Sequence, residues 1–139
     1  MKGMVVDASV AASWLLADEL STYAVSVLDA MQRGEATFVP SLWPLEAANI
    51  LFNAERCKRI DRKHRDAALD QVERLPISIL AGPGLADLRV IRVLAEKHQL
   101  TAYDSEYLRV AKELKLSLAT LDANLLAAAK RERVPVVTV

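Results

Sequence analysis

The sequence predicts an α/β fold in which helices cover both faces of a mainly parallel sheet. Short apolar runs alternate with longer segments of helical periodicity, and helices that connect parallel strands must cover the faces of the sheet those strands form. The chain has 139 residues, of which 53% are hydrophobic and 26% charged, with 4 Gly and 5 Pro. This composition is typical of a folded domain and not of a disordered or repetitive chain. We therefore expect residues 1–139 to form a single three-layer domain.

The first half of the chain contains two short apolar runs that predict strands. Residues 4–6 stop at Asp7, a polar residue suited to open a helix, and residues 37–39 stop at Pro40. Periodicity predicts helices over residues 8–16, 24–31, 45–57 and 61–75. Gly34 is placed to end the second of these helices, and Pro44 suits the first turn of the third.

The second half continues the alternation. A brief apolar run at 77–80 precedes a Gly-Pro-Gly loop at 82–84 and a helix over 85–98. A further helix begins at Asp104, a strand covers 116–120, a helix begins at Asp122, and a last short strand covers 136–139. Ligands of such sheets bind beyond the carboxyl ends of the strands. The residues that follow each strand are therefore the candidates for a site.

Cysteine content and hydropathy predict a cytoplasmic protein without a membrane segment. Cys57 is the single cysteine and has no partner for an internal disulfide. The amino terminus reaches Asp7 too early to hold the apolar core of a signal peptide. The weakly polar run at 8–17 is also far shorter than the roughly 20 residues that span a bilayer.

Net charge gives no argument for a nucleic-acid partner, because 18 Lys and Arg balance 18 Asp and Glu. Basic residues nevertheless concentrate at 56–65 and again at 130–133. A solvated helical face is the ordinary explanation of such a run.

Four acidic residues fall at the edge of the predicted sheet where a ligand would bind. Asp7 and Asp122 follow predicted strands, Glu46 starts the helix after the second strand, and Asp104 starts a helix that can reach the same edge. Each one alone is explained as a helix cap or as a negative charge near a helix amino terminus. Capping gives no reason for all four to share one edge. Two carboxylates about 4 Å apart repel by roughly 4 kcal/mol at an effective dielectric constant near 20, so such a cluster requires protons or cations.

An all-acid site predicts a hard divalent cation, Mg²⁺ or Mn²⁺. His64 and His98 lie in helical stretches away from the acids and form no zinc motif. The sequence also lacks a phosphate-binding loop, a serine-hydrolase elbow and a dinucleotide fingerprint. Hydrolysis of a phosphodiester by metal-activated water is the reaction that such a site performs best. The sequence therefore predicts a metal-dependent nuclease.

Four segments resemble the PIN-domain family and, more narrowly, the VapC-type ribonuclease toxins of prokaryotes. They are Val-Val-Asp-Ala-Ser at 5–9, Leu-Glu-Ala-Ala-Asn-Ile-Leu at 45–51, Tyr-Asp-Ser-Glu-Tyr-Leu at 103–108 and Leu-Ala-Thr-Leu-Asp at 118–122. Any one segment is a weak signal. All four in this order and spacing are specific, and the resemblance runs over essentially the whole chain.

The resemblance implies roles for individual residues. Asp7, Glu46 and Asp104 would be the core metal ligands, and Asp122 a fourth carboxylate that acts directly or through water on a second ion. Three residues would support the site by hydrogen bonds, namely Ser9, Asn49 and Thr120. The sequence departs from the family at Lys115, where many relatives carry a glycine that ends the helix.

The resemblance also implies an αβα sandwich, cleavage of single-stranded RNA, a homodimer, and neutralisation by a small antitoxin encoded alongside. An amphipathic helix of that antitoxin would dock on apolar residues that flank the acids, for which Trp14, Leu42 and Trp43 are candidates. Core packing is the ordinary explanation for each of those three residues.

The alternative functions are a non-catalytic PIN-like binding module, which would use the acids only as caps, and a phosphoacceptor receiver domain. A receiver would want a Lys after its last strand, and none follows 136–139.

Overall fold

A computed structural model describes residues 2–138, and within them the strands form one sheet in which all neighbours are parallel. The order across the sheet is β3-β2-β1-β4. The strands are β1 (Met4–Val6), β2 (Thr37–Val39), β3 (Ser78–Ile79) and β4 (Ser117–Ala119). The predicted three-layer α/β class is confirmed.

Seven α-helices flank this sheet within residues 2–138. They are α1 (Ala8–Leu15), α2 (Thr22–Gln32), α3 (Trp43–Arg56), α4 (Arg62–Glu73), α5 (Leu88–His98), α6 (Ala102–Glu113) and α7 (Ala123–Arg131). Short 3-10 helices cover Ala17–Glu19 and Leu85–Asp87. Five of the α-helices begin at a side-chain cap that accepts a hydrogen bond from a backbone N–H of the first turn, and these caps are Asp7, Ser21, Asp61, Thr101 and Asp122.

The central strand β1 shows why helices occupy both faces. Side chains alternate along a strand, and Val5 packs in one hydrophobic cluster while Met4 and Val6 pack in another. All three are almost fully buried. An isolated half-exposed sheet would leave one of these sets in water, so both layers of helices are needed.

The strand order places a crevice at the carboxyl ends of β1 and β4. The chain runs from β1 outward to β2 and β3 on one side, then returns to place β4 on the other side of β1. The connection after β1 leads toward β2, and the connection after β4 leads to the other side of the sheet. A crevice therefore opens between the ends of β1 and β4, the place where ligands bind in open parallel sheets. The backbone N–H of Asp7 donates to the carbonyl of Ala119 at 3.1 Å and joins the two strand ends.

The prediction of a last strand at 136–139 is wrong for the residues of that range that the structure describes, 136–138. Val136 makes a single parallel bridge to Leu118, and Val139 lies outside the described residues. The pairing stops because β4 itself ends at Ala119, after which Thr120 turns toward α7 and uses its side chain in the crevice.

Two other boundaries differ from the prediction. Helix α6 begins at Ala102, two residues before Asp104, because the Thr101 hydroxyl caps it by accepting from the Asp104 N–H at 3.1 Å. The apolar run at 77–80 contributes only the two residues of β3, and both are exposed. This strand lies at the edge of the sheet, where one side has no partner strand.

Lys115 adopts the left-handed backbone conformation that glycine takes most readily, with φ of 55°. Its N–H donates to the carbonyl of Lys112, and the next N–H, of Leu116, donates back to Ala111. This is the paired hydrogen-bond pattern by which a left-handed residue ends a helix. The turn that a glycine would provide is thus formed without one, at a cost of about 1–2 kcal/mol for a residue with a side chain.

Among residues 2–138, no helix combines the length and the apolar character that crossing a bilayer requires.

Candidate active site

Asp7 lies at the point where β1 ends and α1 begins, and it is only 4% exposed. One carboxylate oxygen accepts from the Ser9 N–H and the other from the Thr120 hydroxyl. Burial raises the pKa of Asp7, the hydrogen bonds from Ser9 and Thr120 lower it, and the charge of Asp122 raises it further. The net direction is upward, so ionised Asp7 is held in an environment that favours an added positive charge.

Glu46 lies in the first turn of α3 and is half-buried. The hydroxyl of Tyr107 donates a hydrogen bond of 2.6 Å to Oε1 of Glu46. Burial raises the pKa of Glu46, the hydrogen bond lowers it, and the charges of Asp7 and Asp104 raise it again.

Asp104 is the third residue of α6 and is half-buried. Its pKa is raised by burial, and then by the charges of Asp122 and Asp7, while the Thr101 hydroxyl lowers it. The segment before it is not a strand. The capped start of α6 turns Asp104 toward the crevice instead.

Asp122 caps α7, and its Oδ1 accepts from the Leu125 N–H at 2.8 Å. Its own N–H donates to the Thr120 hydroxyl at 3.0 Å. The charge of Asp122 raises the pKa values of both Asp7 and Asp104. Asp122 therefore serves as a helix cap and also adds to the negative potential of the crevice.

The structure places the four predicted acids at one edge of the sheet, close enough for their charges to interact. Asp7 interacts with Asp122 and Glu46, and Asp104 interacts with Glu46, Asp7 and Asp122. We call these four residues the acidic cluster. They come from four different element ends, which capping alone does not explain.

The three predicted supporting residues lie beside the acidic cluster in different ways. The Ser9 hydroxyl accepts from the Leu121 N–H at 2.9 Å, which ties the start of α1 to the turn after β4. Thr120 bridges Asp7 and the backbone of Asp122. Asn49 is exposed one turn after Glu46 and lines a groove next to it.

The chemistry of the acidic cluster fits a hard cation. Its donors are carboxylate oxygens, the ligands that Mg²⁺ and Mn²⁺ prefer, and three of the four have pKa values raised by burial and mutual repulsion. Within residues 2–138, however, no three His, Cys, Asp or Glu side chains stand close enough to hold an ion together. Ligation of one ion by three of the acids would therefore require side-chain movement, against the hydrogen bonds that Asp7 and Glu46 make.

Tyr107 contacts the acidic cluster, and the sequence analysis gave it no role of its own. It is 1% exposed and packs in the core, yet its hydroxyl reaches Glu46. Burial and the negative charges around it raise the pKa of Tyr107 well above its ordinary range, so the hydroxyl stays a donor. Its spacing of three residues from Asp104, which puts both on one helix face, was the available signal.

The two histidines and the cysteine lie away from the acidic cluster. His64 is exposed and contacts the carbonyl of Leu15, whereas His98 is buried and bonds Glu132 at 2.7 Å. Cys57 is exposed at the end of α3. None of the three is available for acid–base work at the crevice.

The apolar residues proposed for partner docking divide into two groups. Trp43 is 1% exposed and belongs to the core. Trp14 is partly buried: its indole N–H donates to the Ala24 carbonyl at 2.7 Å, and its ring packs against the core. Both therefore follow the ordinary explanation of core packing. Leu42 differs, because it lines the groove beside Glu46.

Comparison with known proteins shows the family and the fold of the chain. A family model described as PIN domain matches residues 4–131. The structure is similar to PAE2754 from Pyrobaculum aerophilum, with 28% identity, a TM-score of 0.69, and coverage of 91% of this chain and 84% of that chain. FitAcB from Neisseria gonorrhoeae is similar in fold, with 20% identity, a TM-score of 0.67, and coverage of 97% and 96%. No curated protein matches the chain.

Proposed function

Because the chain belongs to the PIN domain family, we propose that it is a metal-dependent endoribonuclease that cleaves single-stranded RNA. PIN domains are generally nucleases. The observation that carries the proposal is the mutual interaction of four carboxylates at the crevice between β1 and β4. We further propose that residues 1–139 form a single PIN domain.

In this proposal Asp7, Glu46, Asp104 and Asp122 hold Mg²⁺ or Mn²⁺. The bound cation supplies positive charge and Lewis acidity for the attack of water on a phosphodiester. The residues of this chain position the carboxylates: Ser9 and Thr120 fix Asp7, and Tyr107 fixes Glu46. Such fixed orientation of ligands by their hydrogen-bond partners is a general requirement of metal sites.

The proposal includes the chemical form of the products. Ribonucleases that activate the 2′-hydroxyl of RNA need a positioned base, and neither His64 nor His98 lies near the acidic cluster. Attack by water on phosphorus, with the 3′-oxygen as the leaving group, instead gives a 5′-phosphate and a 3′-hydroxyl. EDTA should abolish cleavage.

Cleavage of labelled single-stranded RNA tests this function. Glu46→Gln should lower activity at least 100-fold, because it removes one ligand charge at nearly constant size. The matched control is Glu73→Gln, which makes the same change on the exposed face of α4, and it should retain activity. Products with 2′,3′-cyclic phosphates, cleavage that survives EDTA, or equal losses in the two variants would refute the proposal.

We also propose that the protein is a cytoplasmic homodimer and the toxin of a pair, held inactive by a small antitoxin that covers the acidic cluster. A cationic side chain of that partner, such as Arg, would neutralise the carboxylates and form bidentate hydrogen bonds with them. Growth of a bacterial host tests this role. Wild type expressed without the adjacent small gene should arrest growth, whereas Asp7→Ala should not; harmless wild type, or a folded and toxic Asp7→Ala, would contradict it.

A further inference from the structure

A groove of about 460 Å³ opens directly beside Glu46, between α3 and the amino terminus of α6. Its exposed walls include Leu45 and Tyr103, which are 73% and 64% exposed. Asn49 and Asn53 line it with polar amides. The groove shares Glu46 with the acidic cluster, so a chain that lies in one continues into the other.

One face of α3 carries polar side chains from the acidic cluster to the end of the helix. Glu46, Asn49, Asn53 and Arg56 are spaced at i, i+3, i+7 and i+10, which places them in one row. At a rise of about 1.5 Å per residue the row is roughly 15 Å long. A stacked strand that advances about 3.4 Å per nucleotide would cover it with about four nucleotides.

The far end of this row is cationic. In the basic run at 56–65, Arg59 pairs with Asp18 and Glu19, and Arg65 pairs with Glu55 and Asp66, so these two charges are neutralised. Arg56 donates to the amide oxygen of Asn53 at 3.2 Å. No carboxylate within the described residues forms an ion pair with Arg56, and its charge is available to a phosphate.

Tyr103 supplies the aromatic surface that single-stranded nucleic acid uses. Exposed aromatic rings stack on unpaired bases, and amide groups hydrogen-bond the base edges. Tyr103 lines the groove together with Glu46, so it stands next to the acidic cluster, and the residue is 64% exposed. No packing role within residues 2–138 accounts for so exposed an aromatic ring.

Building on the proposed function, we propose that the groove binds the RNA strand on one side of the scissile phosphate. Tyr103 stacks on a base next to the cleaved bond, Asn49 and Asn53 hydrogen-bond base edges, and Arg56 binds a more distant phosphate. An apolar helix or a second copy of the chain would use Leu45 but would gain nothing from the cationic end of the row. The exposed aromatic ring and two amides in the groove, with a guanidinium group just beyond it on α3, therefore favour a nucleic acid strand.

Binding of a fluorescent single-stranded RNA 10-mer, measured by anisotropy in the Asp7→Asn background to prevent cleavage, tests the groove. Tyr103→Ala should raise Kd about 10-fold, and Tyr103→Phe should stay within about twofold of the parent, because the stacking ring is retained. Arg56→Gln should lower the slope of log Kd against log salt by about 1. The control Arg33→Gln, at the end of α2, should change neither quantity.

The outcomes separate this inference from the function on which it rests. If wild type cleaves RNA while Tyr103→Ala and Arg56→Gln bind RNA like the parent, the groove assignment fails and the nuclease remains. If wild type does not cleave and the parent does not bind, both fail together. If light scattering shows that Tyr103→Ala changes the oligomeric mass without changing RNA binding, a second copy occupies the groove and the inference is overturned. Melting curves confirm that each variant is folded, as expected for such exposed positions.

Discussion

The hydroxyl of Tyr107 joins two helices by its 2.6 Å hydrogen bond to Oε1 of Glu46. The Tyr107 side chain of α6 is buried in the core, and Glu46, in the first turn of α3, is half-buried. Since Asp104 lies one turn before Tyr107 on α6, the bond also fixes the position of Asp104 relative to Glu46. A buried phenol thus sets the spacing of two carboxylates that come from different parts of the chain.

Tyr107→Phe should reduce nuclease activity at limiting metal about 10- to 100-fold, the usual cost of removing a group that orients a metal ligand. The ring still fills its site, so the free energy of unfolding should fall by only about 1 kcal/mol. Activity against Mn²⁺ concentration and urea denaturation measure the two effects. Thr37→Val is the control, because it also removes a buried hydroxyl, one that donates to the Glu35 carbonyl at the start of β2 and away from the acidic cluster. An equal loss of activity there would show that Tyr107 has no special role.

Sequence reasoning predicted the edge of the site better than its interior. The positions of Asp7 and Asp122 could be predicted because each residue follows an apolar run. Parallel strands bring their carboxyl ends to one edge of the sheet. Tyr107 was not, since its hydroxyl contacts a residue 61 positions away and its ring satisfies the apolar pattern of α6. Trp43 illustrates the opposite case. It is close to Glu46 in the sequence and was a candidate for partner docking, but its side chain is buried in the core.

Strand ends depended on pairing that local sequence does not contain. The run at 136–139 has the composition of a strand, but its potential partner β4 ends at Ala119 and leaves one bridge. Conversely, Lys115 ends α6 without glycine, because the hydrogen bonds to Ala111 and Lys112 form anyway. In both cases a neighbouring element, and not intrinsic preference, decided the local structure.

Mn²⁺ should raise the melting temperature of wild type. Burial, and after it mutual repulsion, raises the pKa values of Asp7, Glu46 and Asp104, and a bound cation stabilises their charged forms. At a concentration 100 times its Kd, an ion that binds only the folded protein adds about 2.7 kcal/mol. Asp7→Asn and Asp104→Asn should each lose most of this shift. Asp70→Asn, an exposed change on α4, should keep it, and a shift that is the same in all four proteins would indicate non-specific binding.

Lys115→Gly should raise the free energy of unfolding by about 0.5–1 kcal/mol. Relief of the left-handed conformation returns about 1–2 kcal/mol, and the greater flexibility of an unfolded glycine takes back about 0.5–1 kcal/mol. Ala67→Gly, at an exposed position inside the right-handed helix α4, should lower stability by about 0.8–1 kcal/mol. Urea denaturation of the two variants should therefore give shifts of opposite sign, and a loss of stability in Lys115→Gly would contradict the argument.

Glu132 joins three helices on the side of the molecule formed by α5, α6 and α7. Its carboxylate accepts from Lys112 of α6 at 2.6 Å, pairs with Lys97 of α5 at 2.8 Å and bonds the buried His98 at 2.7 Å. These hydrogen bonds lower the pKa of Glu132 from 4.5 to about 2. The charged form of Glu132 is therefore preferred by the folded protein over the unfolded chain.

Glu132→Gln should remove a pH-dependent contribution to stability. Because the pKa of the folded form is the lower one, this contribution is fully present above pH 4.5 and decreases as the pH falls toward about 2. Near pH 7 the variant should lose about 1.5–3 kcal/mol, the range for hydrogen bonds to a charged group. Urea denaturation of both proteins between pH 7 and pH 3 measures the difference in their free energies of unfolding, which should be constant down to about pH 5 and then narrow.

Subtracting the two curves cancels the opposite pH dependence of Asp7, Glu46 and Asp104, whose raised pKa values favour folding as the pH falls. A difference that stays constant down to pH 3 would show that Glu132 is not held in its charged form by these three partners.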